Sequence, residues 1–130
     1  MYKFGKWLFI FLCVVTTVYS EASDPKHTVM KCSGCNVESL TNSDNLTNVI
    51  YDAANQCGAT AIQNASCILN SNGFIIVLPF NEGDVILTST PANAFCFIDF
   101  FTSTDQCSVE IFFNVLNQYI LSGQIDSCEF

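Results

Sequence analysis

Apolar residues recur along this chain with two different periods. Leu46, Val49, Ile50, Ala53 and Cys57 fall at helical spacing, the mark of one buried helix face. Thr41, Ser43 or Asp44 can cap its start, and Gly58 supplies a stop. The runs SCILN, FIIVLP and DVILT follow, separated by SNG and FNEGD. Short, branched and punctuated by turn residues, they predict antiparallel strands. AFCFIDFF, Ala94 to Phe101, is the strongest strand signal. Alternation there puts Cys96, Ile98 and Phe100 on one face, with Phe95, Phe97, Asp99 and Phe101 on the other. The helical period returns in Val109, Phe112, Phe113, Leu116 and Ile120, with Gly123 as its stop. A tail, QIDSCEF, carries Cys128 back to the body as an edge strand. Helix, strands, helix, tail predicts an α+β fold. Two amphipathic helices would cover one face of an antiparallel sheet in a two-layer sandwich, stabilised by disulfides.

The first twenty residues follow neither period. Lys3 and Lys6 precede the apolar run WLFIFLCVVTTV, and Val18 and Ser20 stand just before Glu21. That is the pattern of a signal peptide over residues 1–20, cut at Ser20–Glu21. The run falls short of the ~20 residues a membrane span needs; a retained anchor is the rival reading. Residues 21–31 are polar, contain Asp24-Pro25 and read as a flexible arm. Residues 32–130 then form a single domain. The expected location is extracellular.

Secretion changes the meaning of the cysteines. Cys13 leaves with the leader, and Cys32, Cys35, Cys57, Cys67, Cys96, Cys107 and Cys128 remain. In a small secreted domain they read as a disulfide framework. The stretch CSGC, Cys32 to Cys35, could in isolation be a redox pair or half a zinc site. No second such pair exists, and His27 is the only histidine. Cys57–Cys67 and Cys96–Cys107 are the preferred bridges, with Cys57–Cys96 as a rival. One of Cys32 and Cys35 would then reach Cys128 and tie the two ends together. The odd cysteine is free or joins a second chain as a disulfide-linked dimer.

Charge narrows the partners. The chain has 4 basic and 12 acidic residues and a net charge of −8, which loss of Lys3 and Lys6 takes to about −10. Nucleic acid and anionic membranes are excluded as partners, since both need clustered cations. Asn45-Leu46-Thr47 and Asn64-Ala65-Ser66 are glycosylation sequons.

Catalytic chemistry finds little to work with. His27 lies in the arm, where a solvated role is expected. Glu82 and Asp84 flank Gly83 in a turn. Asp99 interrupts an apolar strand and reads as a solvent-facing position. No catalytic constellation, metal site or cofactor is expected, and the protein reads as a non-enzyme. Phe95, Phe97 and Phe101 would form an aromatic stripe, a possible binding surface, if the helices cover only the Cys96 face.

The order helix, strands, Cys96-Phe97-Ile98 strand, amphipathic helix, Gly123, Cys128 resembles the small secreted killer-toxin-like and necrosis-inducing effector-like domains of fungi. The likeness runs from Leu46 to Cys128, without the tryptophan expected in the central strands. It implies a secreted sandwich that acts by binding a target on another cell or host. The alternative is an extracellular binding module for a small apolar ligand or lipid. Cys32, Cys35, Cys57 and Cys67 also mimic the first half of a saposin-like module. The strands that follow stand where helices would be needed, and that reading is rejected.

Overall fold

The computed structural model describes residues 26–103 and 107–129. The expected leader and its cut site lie outside the described residues. Strands β1 (Lys26–Ser33), β2 (Ser66–Asn70), β3 (Gly73–Phe80), β4 (Gly83–Thr90), β5 (Phe95–Thr102) and β6 (Gln124–Glu129) form one sheet. Its order is β2-β3-β4-β5-β1-β6, and every neighbouring pair is antiparallel. Helices α1 (Val37–Thr41), α2 (Ser43–Cys57) and α3 (Val109–Ile120) supply the second layer. The α+β sandwich expected from the two periods is the fold.

Alternation decides the layering. Phe74, Ile76, Leu78 and Phe80 of β3, Val85 and Leu87 of β4, and Cys96, Ile98 and Phe100 of β5 are buried. They meet Leu46, Ile50 and Ala53 of α2 and Phe112, Phe113, Leu116 and Ile120 of α3 in one core. Phe100 lies at its centre, with ring centroids 5.6 Å from Phe80 and 4.9 Å from Phe112. Residues two apart in a strand share a face, so the residues that alternate with these, odd-numbered in β3 and β5 and even-numbered in β4, stand on the opposite, outer face.

The arm expected over residues 21–31 is corrected from Lys26 onward. Lys26 to Lys31 belong to β1, which lies between β5 and β6. Thr28 and Cys32 are buried while His27 and Val29 are half-buried. This is a strand period carried largely by polar residues, which hydrophobic patterning overlooks.

The one disulfide among the described residues joins Cys57 to Cys107, with Cα atoms 4.8 Å apart. Neither Cys57–Cys67 nor Cys96–Cys107 forms. Cys57 ends α2, Cys107 precedes α3, and the two helices lie side by side; Ser108 N–H donates to the Cys57 carbonyl at 3.1 Å. Cys67 sits on exposed β2. The expected staple from Cys32 or Cys35 to Cys128 does not form, all three being free thiols, and for Cys32 the reason is parity. Cys128 pairs with Val29 on the outer face, and Cys32 pairs with Ile125 on the inner one.

Candidate functional site

The outer sheet face gathers the side chains with chemistry. Three cross-strand rows define it. Pro79, Asp84, Phe101 and His27 are successive partners in one; Val77, Ile86, Asp99, Val29 and Cys128 in the next; Ile75, Thr88, Phe97, Lys31 and Asp126 in the third. No described helix packs on these rows. The aromatic stripe read from the sequence is there: Phe95 and Phe97 are half-buried and Phe101 is exposed to 37%.

Two expectations about polar residues change. Asp99 does not simply face solvent, and His27 is not in a loose arm. His27 Nε2 lies 2.6 Å from Asp99 Oδ1, a diagonal contact between adjacent strands. The His27 ring also meets Phe101 edge-on, with centroids 6.3 Å apart. Asp84 lies in the neighbouring row on the other side of β5. Its carboxyl is pushed above the ordinary carboxylate range, first by burial and then by the Asp99 charge, with His27 acting in the opposite sense. An acidic pair and a histidine are thus framed by two phenylalanines. The signal missed in the sequence was the alternation of His27, Val29 and Lys31, which places all three on one face.

At the edge of this face lies the β3–β4 turn. Glu82 takes up a left-handed backbone with φ 70°. Its carbonyl oxygen accepts from the backbone N–H of Ser103 at 2.7 Å and from the Ser103 hydroxyl at 3.0 Å.

The remaining candidates stand apart from this face. Cys32, Cys35 and Cys96 are buried free thiols on the core side. Burial, then the neighbouring Cys35 charge, pushes the Cys32 thiol up to about 11. Burial, followed by Cys32 and Cys35, raises Cys96 as well. Such thiols are protonated and inert at neutral pH. Among the described residues no group of three His, Cys, Asp or Glu could hold a metal ion. Asn45, in the first turn of α2, and Asn64, in the loop before β2, are both exposed.

Comparison with known proteins bears on what this face does. The family model for S-adenosylmethionine decarboxylase matches residues 26–130. The adenosylmethionine decarboxylase of Aquifex aeolicus VF5 has the same fold, with a TM-score of 0.74 at 11% identity over 83% of this chain and 89% of that one. No curated protein matches. The match overturns the killer-toxin and effector resemblance, and with it the toxin role and the alternative of an apolar-ligand or lipid module. It also overturns the expectation of a non-enzyme, since the family is one of enzymes. The order helix, strands, helix, cysteine is shared by many two-layer sandwiches and does not discriminate among them. The chain belongs to the S-adenosylmethionine decarboxylase family.

Proposed function

We propose that the chain takes part in the decarboxylation of S-adenosylmethionine and binds that substrate on the outer face of its sheet. The observation that carries this reading is the family match over residues 26–130. The chemistry of the face supports it. The substrate carries a sulfonium and an α-ammonium, both positive, beside a carboxylate and an adenine ring. Asp84 and Asp99 offer negative charge to the cations. Phe97 and Phe101 offer aromatic faces, which attract both a cation and a flat ring. Lys31, the strand partner of Phe97, offers positive charge to the carboxylate.

Loss of carbon dioxide leaves an electron pair on Cα, and an imine conjugated to that carbon has to accept it. A protein can obtain the necessary carbonyl by holding pyridoxal phosphate on a lysine. Alternatively, it can cut its own backbone before a serine, which becomes a pyruvoyl group. Neither fits the described residues. They contain Lys26 and Lys31 and no arginine, and both lysines lie on β1 rather than in an enclosed site that could also cradle a phosphate. In the β3–β4 turn, where the Glu82 carbonyl accepts two donors from Ser103, glycine stands at the position that would have to supply the hydroxyl. The chain's own residues bind the substrate and set the charge around it, and decarboxylation on this face would need a carbonyl supplied by a second component.

The test uses carboxyl-labelled S-adenosylmethionine and the protein as isolated from its own source, with its carbonyl-bearing component retained. Labelled carbon dioxide above the protein-free rate is expected. Asp99→Asn should lower that rate about tenfold, roughly 1.4 kcal/mol of barrier. No release and no substrate binding in that preparation would sink the proposal.

A further inference from the structure

We infer that this chain does not cut its own backbone to make a pyruvoyl group, and works as one continuous polypeptide. Several features gather at a single peptide bond. Glu82 holds a left-handed conformation that side-chain-bearing residues rarely adopt. Its carbonyl oxygen accepts both the Ser103 N–H and the Ser103 hydroxyl. Two donors aimed at one carbonyl stabilise the negative oxygen that attack on its carbon would create. The Glu82–Gly83 bond therefore has the surroundings of a cleavable peptide. It lacks the attacking group.

Self-cleavage that ends in a carbonyl needs a hydroxyl on Cβ of the residue after the attacked carbonyl. Gly83 has no Cβ, and the structure leaves no room for one. A Cβ built there would stand 2.1 Å from the Phe101 carbonyl oxygen and 2.9 Å from Thr102 Cα. Gly83 and Thr102 are partners where β4 meets β5, and the backbones approach too closely in that row for a side chain. Attack by Ser103 would not serve either. The C–N bond broken would release the amine of Gly83, and a glycine amine is not a carbonyl. The two serines buried among the described residues are committed elsewhere. Ser89 donates its hydroxyl to Leu40 O, and Ser39 to Tyr119 O, each at 2.8 Å. Neither of those hydroxyls is bonded to the carbonyl that precedes its own residue.

The inference deepens the reading above and rests on it for the chemistry at issue. Its test needs no substrate, so the two can fail separately. The protein is reduced and its intact mass recorded. Reduction matters because Cys57–Cys107 would hold together two pieces cut between them. A single mass continuous across residues 82–83 is expected, with no mass added by an aminooxy carbonyl probe. Two pieces after reduction, or a probe adduct at a new N-terminus, would overturn the inference. A second measurement examines the steric argument. Gly83→Ala should lower Tm by several degrees, roughly 4–8 °C for a domain of this size. An unchanged Tm would show that the row can open for a side chain and would overturn the steric half of the argument.

Discussion

At the scale of single residues, position in the fold separates the five free cysteines among the described residues. Cys32 and Cys96 are strand partners on the core side, and Cys35 follows in the loop whose N–H donates to Ala94 O at 3.0 Å. Cys67 is exposed and Cys128 half-exposed. Iodoacetamide should therefore label Cys67 in the folded protein, and Cys32, Cys35 and Cys96 only after unfolding; peptide mapping reads the difference. The raised thiols also set a pH dependence. Cys32 titrates near 9 unfolded and about 11 folded. Between those values the folded state keeps a proton that the unfolded state has lost. Stability is thus fully present below pH 9 and is lost as pH rises through about 11, with a slope of about 1.4 kcal/mol per pH unit for such a group. Chemical denaturation across that range should show the decline, and Cys32→Ala should lessen it, Cys35 and Cys96 being raised as well. The aromatic stripe at Phe95, Phe97 and Phe101 was legible because apolar alternation is strong there. His27 was not, because polar neighbours hid its strand and its partner, Asp99, is 72 residues away.

At the scale of elements, the helices were legible in extent and less so at their ends. Gly58 closes α2 with φ 105°, as its place after the last apolar residue implied. The start is capped by Asn42, whose side chain accepts from the Asn45 N–H at 3.0 Å, although Thr41, Ser43 and Asp44 are equally plausible on composition. Ser108 caps α3, and Leu121 in a left-handed conformation ends it before Gly123 is reached. The bridge was illegible for a related reason. Local spacing favours short loops, whereas Cys57–Cys107 spans 50 residues and depends on α2 and α3 packing side by side. Cys107→Ser should destabilise the domain by about 2–4 kcal/mol, seen as a shift in denaturation midpoint. No change would mean that packing alone aligns the two helices.

At the scale of the whole molecule, one layer of helices covers one face of the four central strands, β3, β4, β5 and β1, and leaves the other face open, with β2 and β6 as exposed edges. We propose that the chain is secreted after cleavage at Ser20–Glu21, on the strength of the charged and apolar N-terminal pattern. N-terminal sequencing should begin at Glu21, and protein from a eukaryotic host should carry glycan on exposed Asn45 or Asn64. Membrane-bound material beginning at Met1 would contradict this. The layer architecture was readable from periodicity, but the family was not, since element order is common to unrelated sandwiches. The most direct measurement is a calorimetric titration comparing S-adenosylmethionine with its thioether counterpart, which lacks the methyl group and the positive charge. If the Asp84, Asp99 and Phe101 face receives the sulfonium, the charged ligand binds at least about tenfold more tightly, roughly 1.4 kcal/mol. That preference disappears in the Asp84→Asn, Asp99→Asn double variant. Equal binding of the two ligands, or a preference that survives the double substitution, would contradict the assignment of this face as the substrate site.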